Sequence, residues 1–390
     1  MGRLRCILPL FRVTLVKNNN RSTFLPPKKL FHNITIMSSS PTAATSPKRV
    51  CREGEPKCIG THSGTFHCDE VLACFMLKQL PEYSDAKIFR SRNDAELQEK
   101  CDIIVDVGGE FDHEKKWYDH HQKSFQHTLG SLRPEFEEKF NQIRLSSAGL
   151  VYCFYGERVI DEILKKHANI SLSPDNLKLT FVQIYRNFIS EIDAIDNGVP
   201  MCPEGIEPLY KISTGLSSRV GKFNPSWEEE GTNVNVDERF HEAMAYAGKE
   251  FVDNVLAIGG SWIKAREYVR EALVTAKTIY KTGEILLLPR FCPWKQHLVE
   301  LEKEYDVEGV PKLVIFVDTT GSWRVAGVPL NPDSFLGRKF LPEPWRGLRD
   351  EELSKLAGVD DLTFAHHTGF IGGAKTKEAA IAMAIKTIEF

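Results

Sequence analysis

The chain has 390 residues and a formal net charge of −3, with nine cysteines and no CxxC pair. That length suits two α/β domains with full cores, and no apolar run approaches the ~20 residues of a membrane-spanning helix. The odd cysteine count argues against a disulfide framework or a cysteine zinc site and fits a reducing compartment.

Residues 1–52 hold ten Lys/Arg and no Asp or Glu, the composition of an organellar transit peptide. Met37 offers a second start that would drop most of this signal, so an organellar product and a shorter cytosolic one are both expected. Subtracting the +10 of this stretch from −3 leaves −13 for residues 53–390. So acidic a body is a poor general polyanion binder. Any nucleic-acid substrate must be gripped locally, as a short single strand or an end.

From Lys57 strands and helices alternate. Lys57–Thr61 is a strand that runs into the cluster Thr61-His62-Ser63-Gly64-Thr65-Phe66-His67-Cys68-Asp69-Glu70. Asp69–Leu80 has apolar residues at 71, 72, 75, 76 and 80, a helical period. Asp69 stands near its first turn, where a negative group is favourable. Lys87–Arg90 is a short strand and Asp94–Lys100 a short helix. Asp102–Asp106 is a buried strand closing on Gly108-Gly109, and Trp117–His121 a strand end and turn. Ser147–Tyr155, Val159–His167 and Asn176–Asn197 are helical. The last places Asp193 and Asp196 on one face and is broken by Gly198-Val199-Pro200.

Residues 221–236 are loop-like and mark a boundary. Asp237–Ala257 and Ser261–Thr278 form a long interrupted helix. Strands at Glu284–Leu288, Lys312–Asp318 and Trp323–Pro329 surround a helix at His297–Tyr305. Strand-like Leu362–Phe370 then leads through Ile371-Gly372-Gly373-Ala374-Lys375 into a helix at Glu378–Ile388. The expected organisation is a transit segment (1–52), a first α/β domain (53–235), which the resemblance named below makes the metal-binding catalytic one, and a smaller α/β domain (236–390), which it makes the substrate-binding one. The fold class is α/β, with a mainly parallel sheet covered by helices on both sides. Ligands then belong beyond the carboxyl ends of the strands, where the acidic and imidazole residues lie.

Those residues are candidate metal ligands. His62, His67 and Asp69 offer three donors within one loop, and mixed carboxylate and imidazole donors suit Mn²⁺, Fe²⁺, Co²⁺ or Zn²⁺. Asp106 ends a buried strand, where a carboxylate is costly unless it is paired or bound to metal; taken alone it is equally a turn aspartate. In Asp119-His120-His121, one histidine can bind metal while the next meets a phosphate. Asp193 is favoured over Asp196, though acids near a helix end are commonly just solvated. Gly369–Lys375 is either a nest of backbone N–H groups for an anion or a plain strand-to-helix turn. Arg144, Arg324 and Arg346 are candidate phosphate contacts, and Trp323 and Trp345 candidate base-stacking residues. Cys68 is a small buried side chain rather than a nucleophile, because no base is dedicated to it.

The order of these clusters resembles the DHH phosphoesterase superfamily. More closely, Thr61–Glu70, Trp117-Tyr118-Asp119-His120-His121-Gln122, Leu145-Ser146-Ser147-Ala148-Gly149-Leu150-Val151, Asp193-Ala194-Ile195-Asp196-Asn197-Gly198 and His367–Lys375 resemble the melanocyte-proliferating-gene (Myg-type) exonuclease family over about residues 57–390. The resemblance implies a mitochondrial 3′-to-5′ RNA exonuclease, with nuclear or nucleolar forms. It implies two Mn²⁺-type ions (Mg²⁺, Co²⁺ or Zn²⁺ as alternatives) held at His62, His67, Asp69, Asp106, His120 and Asp193. Asp119, His120 and His121 are the expected catalytic residues, and His121, Arg144, His367, Gly372, Gly373 and Lys375 the expected RNA contacts. The superfamily's first motif is His-x3-Asp-x-Asp; here the loop is one residue longer, and His67 stands in place of the first Asp. The C-terminal segment also departs from the superfamily's Gly-Gly-Gly-His, leaving Lys375 and His367 for phosphate binding. Two other functions remain open: a pyrophosphatase or (cyclic) dinucleotide phosphodiesterase using the same site, and a non-catalytic metal- or nucleotide-binding regulator.

Overall fold

Short apolar runs alternating with amphipathic helices build two five-stranded sheets. The computed structural model describes residues 56–390 except 138, 204 and 230; the expected transit segment and Met37 lie outside them. In chain order the first part contains β1 (Cys58–Thr61), α1 (Cys68–Gln79), β2 (Lys87–Arg90), α2 (Asp94–Lys100), β3 (Ile103–Val105), β4 (Phe111–Asp112), β5 (Trp117–Tyr118), α3 (Leu129–Leu132), α4 (Ser147–Ala168), α5 (Pro174–Ile184), α6 (Ser190–Asp196), α7 (Leu216–Gly221) and α8 (Val236–Gly260). The second contains α9 (Ala265–Ile279), β6 (Ile285–Leu287), α10 (Lys295–Glu304), β7 (Leu313–Val317), β8 (Trp323–Gly327), α11 (Asp350–Ala357), β9 (Leu362–Ala365), β10 (Ile371–Ala374) and α12 (Lys377–Glu389).

The first sheet has the order β2-β1-β3-β5-β4, parallel except for β4. Both faces are covered, which is why β3 is a continuous apolar run. Ile103 and Val105 face the main core beneath α1, α4 and α8, while Ile104 packs with Leu97 of α2 and Trp117. On β1, Gly60 admits Cys101 and Leu97 so closely that a Cβ there would collide with both. The carboxyl ends of β1, β2, β3 and β5 therefore share one edge, and each runs straight into a polar loop.

The second sheet, β6-β7-β8-β10-β9, is parallel only at β6–β7 and antiparallel elsewhere. One apolar core lies beneath α11 and α12, and another beneath α9 and α10.

The structure departs from the sequence pattern at four places. Ser147–Ala168 is one helix where two were expected: Gly156, between them, is where Phe181 and Tyr152 approach the backbone. The helix expected over 176–197 is divided by a π-helical turn at Tyr185–Ile189. Helix α8, expected to open the second domain, buries Phe240, Ala243, Ala247, Phe251 and Val255 in the first core. Finally, Ile371–Ala374 is a strand hydrogen-bonded on both sides, to β8 and β9.

Candidate active site

The carboxyl ends of the parallel strands place the polar loops side by side. Thr61 of β1 leads into His62, Val105 of β3 into Asp106, and Tyr118 of β5 into Asp119-His120-His121. Asp106 adopts φ +57°, a left-handed conformation that Asp tolerates better than most residues. Its amide bonds the Tyr118 carbonyl at 3.1 Å, so the turn is tied to β5.

The loop between His62 and His67 is held from several directions. Arg90 donates to the carbonyls of His62 and Gly64, and Arg92 to that of Ser63. Asn224 grips Phe66 twice, accepting from its N–H at 2.9 Å and donating to its carbonyl at 2.7 Å. The Phe66 ring is buried edge-on against Phe240.

The amino end of α4 organises the carboxylates. Ser147 and Ala148 N–H groups donate to the two oxygens of Asp69 at 2.9 and 2.5 Å, and Ser147 Oγ lies 3.4 Å from Asp106 Oδ1. Ser146 N–H and Oγ both donate to Asp193 Oδ1 at 2.9 Å, and Tyr185 OH donates to Asp193 Oδ2 at 3.0 Å. Helix amino ends favour such anions. Gly149 is required there, since a Cβ would collide with the Asp193 carboxylate.

Three overlapping donor groups result: His62, His67, Glu70 and Asp106; Asp106, His120 and His121; and Asp69, His120 and Asp196. His62 Nε2 lies 2.9 Å from Glu70 Oε1 and 3.4 Å from Asp106 Oδ2. His120 Nε2 lies 2.9 Å from Asp196 Oδ2, 3.6 Å from Asp106 Oδ1 and 3.9 Å from Asp69 Oδ2. Yet among the described residues His120 Nε2 and Glu70 Oε2 are buried atoms without a hydrogen-bond partner. Oxygen and nitrogen atoms crowded together but not bonded to one another fit a shared cation. Ligands about 2.1 Å from one ion and at right angles lie about 3 Å apart.

The electrostatics agree. Burial opposes a charge on His62, but Asp106 and Glu70 outweigh it and push its pKa up to about 10. Burial likewise opposes a charge on His120, while Asp106, Asp196 and Asp69 push it up to about 11. Burial and repulsion from Asp196 and Asp106 raise Asp69 well above the usual carboxylate range. Against the effect of burial, His120 and His62 hold Asp106 far below it. So much buried negative charge attracts cations, and without metal it recruits protons. Asp119 is separate: its Oδ2 accepts from Gly109 N–H at 2.6 Å and its Oδ1 from His121 Nδ1 at 2.7 Å. That bond is the main cause raising the pKa of His121, whose side chain is 63% exposed.

Of the sequence candidates, the fold brings together His62, His67, Asp69, Asp106, His120 and His121. Asp193 stays apart, its oxygens taken by Ser146 and Tyr185, and Asp196 stands in the donor group instead. Glu70 was missed: two acids in the first turn of a helix look like ordinary amino-end electrostatics. Arg144 bonds the Phe125 carbonyl, and the Phe125 ring lies 6.2 Å from that of His120. Burial keeps the Cys68 thiol protonated, as its sequence context suggested.

The C-terminal candidates need correction. Gly372 and Gly373 form no anion nest, because they pair with Val325 and Arg324 inside the second sheet. Their glycine character serves packing: a Cβ would strike Met383 at the first and Thr363 and Phe364 at the second. His367 and Lys375 are exposed. Trp345 is buried in the second sheet's core and is unavailable for base stacking, and Arg324 pairs with Asp318.

A family model, MYG1_exonuc, described as an uncharacterised protein family (UPF0160), matches residues 58–388. The chain is 46% identical over 336 residues to MYG1 protein C27H6.8 of Caenorhabditis elegans, covering 85% of this chain and 95% of that one. It is 45% identical over 330 residues to MYG1 protein of Dictyostelium discoideum, covering 85% and 96%. It is 42% identical over 366 residues to MYG1 exonuclease of Homo sapiens, covering 93% and 94%. A solved structure, the pGpG-specific phosphodiesterase PggH of Vibrio, covers 85% of this chain and 98% of its own at 11% identity and TM-score 0.25, a likeness too weak to bear on fold or chemistry. With one family model spanning nearly every described residue and relatives this similar over almost their full lengths, the chain belongs to the MYG1 family.

Proposed function

We propose that this protein is a metal-dependent phosphodiesterase that removes nucleotides from the 3′ ends of single-stranded RNA. The observation that carries the reading is the chain of donor groups linked through Asp106 and His120. Relatives from human and cow bear the name exonuclease. RNA as substrate and 3′-to-5′ polarity rest on the resemblance to the Myg-type family.

One cation would be held by His62, Glu70 and Asp106 with His67 at the rim, and a second by Asp69, His120 and Asp196, with Asp106 between them. Mixed carboxylate and imidazole donors suit Mn²⁺, with Mg²⁺, Co²⁺ or Zn²⁺ as alternatives. Bound there, two cations polarise a phosphoryl oxygen and make water a nucleophile at neutral pH. The chain's own residues complete the site. The α4 amino end fixes Asp69 and touches Asp106. Asp119 holds His121 by Nδ1, which removes that nitrogen as a metal donor and leaves Nε2 to give a proton to the departing oxygen. His67 and His121 are exposed, standing where a strand end would reach the cluster. A mitochondrial address, from the basic stretch 1–52, is part of the same proposal.

The test is cleavage of 5′- and 3′-labelled RNA by the Mn²⁺-loaded protein, with pyrophosphate and a cyclic dinucleotide in parallel. Stepwise shortening from the 3′ end, abolished in Asp106→Asn, is expected. Turnover of pyrophosphate alone would move the assignment to a pyrophosphatase, and metal binding without turnover of any of these would overturn the enzyme reading.

A further inference from the structure

The two arginines at the end of β2 are in different situations. Arg90 is saturated: its side chain is 3% exposed, it bonds two loop carbonyls, and it pairs with Asp237 at 2.8 Å. Arg92 is exposed and, among the described residues, pairs with no carboxylate. Its Nε donates to the Ser63 carbonyl at 3.0 Å, and its Nη2 lies 3.3 Å from His62 Nδ1. A guanidinium with no carboxylate partner among the described residues is thus held beside the donor cluster by Nε at the Ser63 carbonyl and by Nη2 at His62 Nδ1.

We propose that Arg92 is a substrate-binding residue whose guanidinium takes a phosphate oxygen of the scissile or adjacent nucleotide. The proposal rests on the two-cation reading of the cluster. A histidine that binds a cation through Nε2 is neutral and carries its hydrogen on Nδ1. The Ser63 carbonyl, 3.3 Å from His62 Nδ1, can accept that hydrogen. Arg92 Nη2 cannot then also donate to Nδ1, so the terminal nitrogens become available to an oxyanion while Nε keeps its anchor. Charge counting points the same way. The four carboxylates Asp69, Glu70, Asp106 and Asp196 balance two divalent cations, and Asp119 is balanced by His121 when that ring is protonated. A singly charged phosphodiester would then be neutralised by Arg92, whereas pyrophosphate would bring excess negative charge. Forked recognition of phosphate is the characteristic use of arginine.

The competing role is structural, since Arg92 also steadies the Ser63 carbonyl, and two measurements separate the roles. In the full-length Mn²⁺-loaded protein, inorganic phosphate binding is followed by titration calorimetry, and Mn²⁺ binding by the resonance signal of the free ion. Arg92→Ala should weaken phosphate about tenfold or more, on the order of one charge-assisted hydrogen bond, with Mn²⁺ affinity unchanged. Arg92→Lys should fall between, and KM for a short labelled RNA should rise more than kcat falls. Phosphate affinity equal in wild type and Arg92→Ala, no phosphate binding by the wild type, or a loss of Mn²⁺ affinity that accounts for the phosphate loss would each overturn the assignment. A wild type that binds phosphate but cleaves no RNA refutes the exonuclease reading, while the phosphate comparison still decides Arg92.

Discussion

His120 Nε2 and Asp196 Oδ2 stand 2.9 Å apart, yet the imidazole nitrogen has no hydrogen-bond partner among the described residues. The pair separates the two acids of α6. Asp196 belongs to the donor cluster, whereas Asp193 braces the amino end of α4 through Ser146 and the π-helical turn through Tyr185. Asp196→Asn should therefore weaken Mn²⁺ binding and leave thermal stability of the metal-free protein largely intact. Asp193→Ala should do the reverse, costing about 1–3 kcal/mol for each buried donor left unpaired. Metal titration and thermal melts of both variants check this, and the opposite pattern would put the ligand at Asp193.

Metal loading should depend on pH through His62 and His120. Their pKa values in the metal-free protein are about 10 and about 11, so both carry protons at neutral pH that a cation must displace. Mn²⁺ affinity should rise from about pH 6 to about pH 8, with proton release visible as a buffer-dependent heat of binding. Stability follows the same linkage. Each folded value lies above the ordinary 6.5, so the stabilisation is complete below about 6.5 and is lost as pH rises through about 10 to 11. The metal-free protein should therefore weaken in alkali more than the loaded one, and affinity that does not change with pH would contradict the assignment.

The first sheet was largely legible in the sequence because its strands are short apolar runs ended by polar clusters, and parallel strands must end at the same edge. His62, Asp106 and His120 stand where that pattern points, and Asp69 lies in the first turn of the helix after β1. Glu70 was hidden by its position in a helix's first turn. The choice between Asp193 and Asp196 was hidden because helical spacing puts both on one face, and the partners that tell them apart, Ser146 and Tyr185 for the first and His120 for the second, lie on other elements. Gly372 and Gly373 misled in another way: glycine signals an exposed backbone and a tightly packed one equally, and only Met383 and Thr363 tell them apart.

The Asp119–His121 pair predicts a separation of chemistry from metal binding. Nδ1 is bonded to Asp119 at 2.7 Å and the ring is mostly exposed, so the proposed mechanism gives His121 Nε2 to proton donation and not to a cation. His121→Ala should lower kcat by about 10²- to 10⁴-fold, the usual range for loss of a general acid, with Mn²⁺ stoichiometry retained. The alkaline limb of the kcat profile should vanish in the variant. Loss of a bound Mn²⁺ would instead make His121 a ligand.

His297 predicts an acid-sensitive joint away from the site. It is fully buried on α10, with Nε2 at 2.9 Å from the Trp262 carbonyl and its ring 3.8 Å from that of Trp262, which lies between α8 and α9. Burial is the main reason its pKa falls to about 4. Here the unfolded chain binds the extra proton, so stability is complete above the ordinary 6.5 and declines as pH falls toward about 4. The full difference is on the order of 3 kcal/mol, at about 1.4 kcal/mol per unit. Thermal melts across this range should show the decline in wild type and a flatter profile in His297→Gln, whose side-chain amide can still donate to the Trp262 carbonyl but does not titrate. Parallel slopes in the two proteins would mean that His297 is not the group whose protonation loosens the joint.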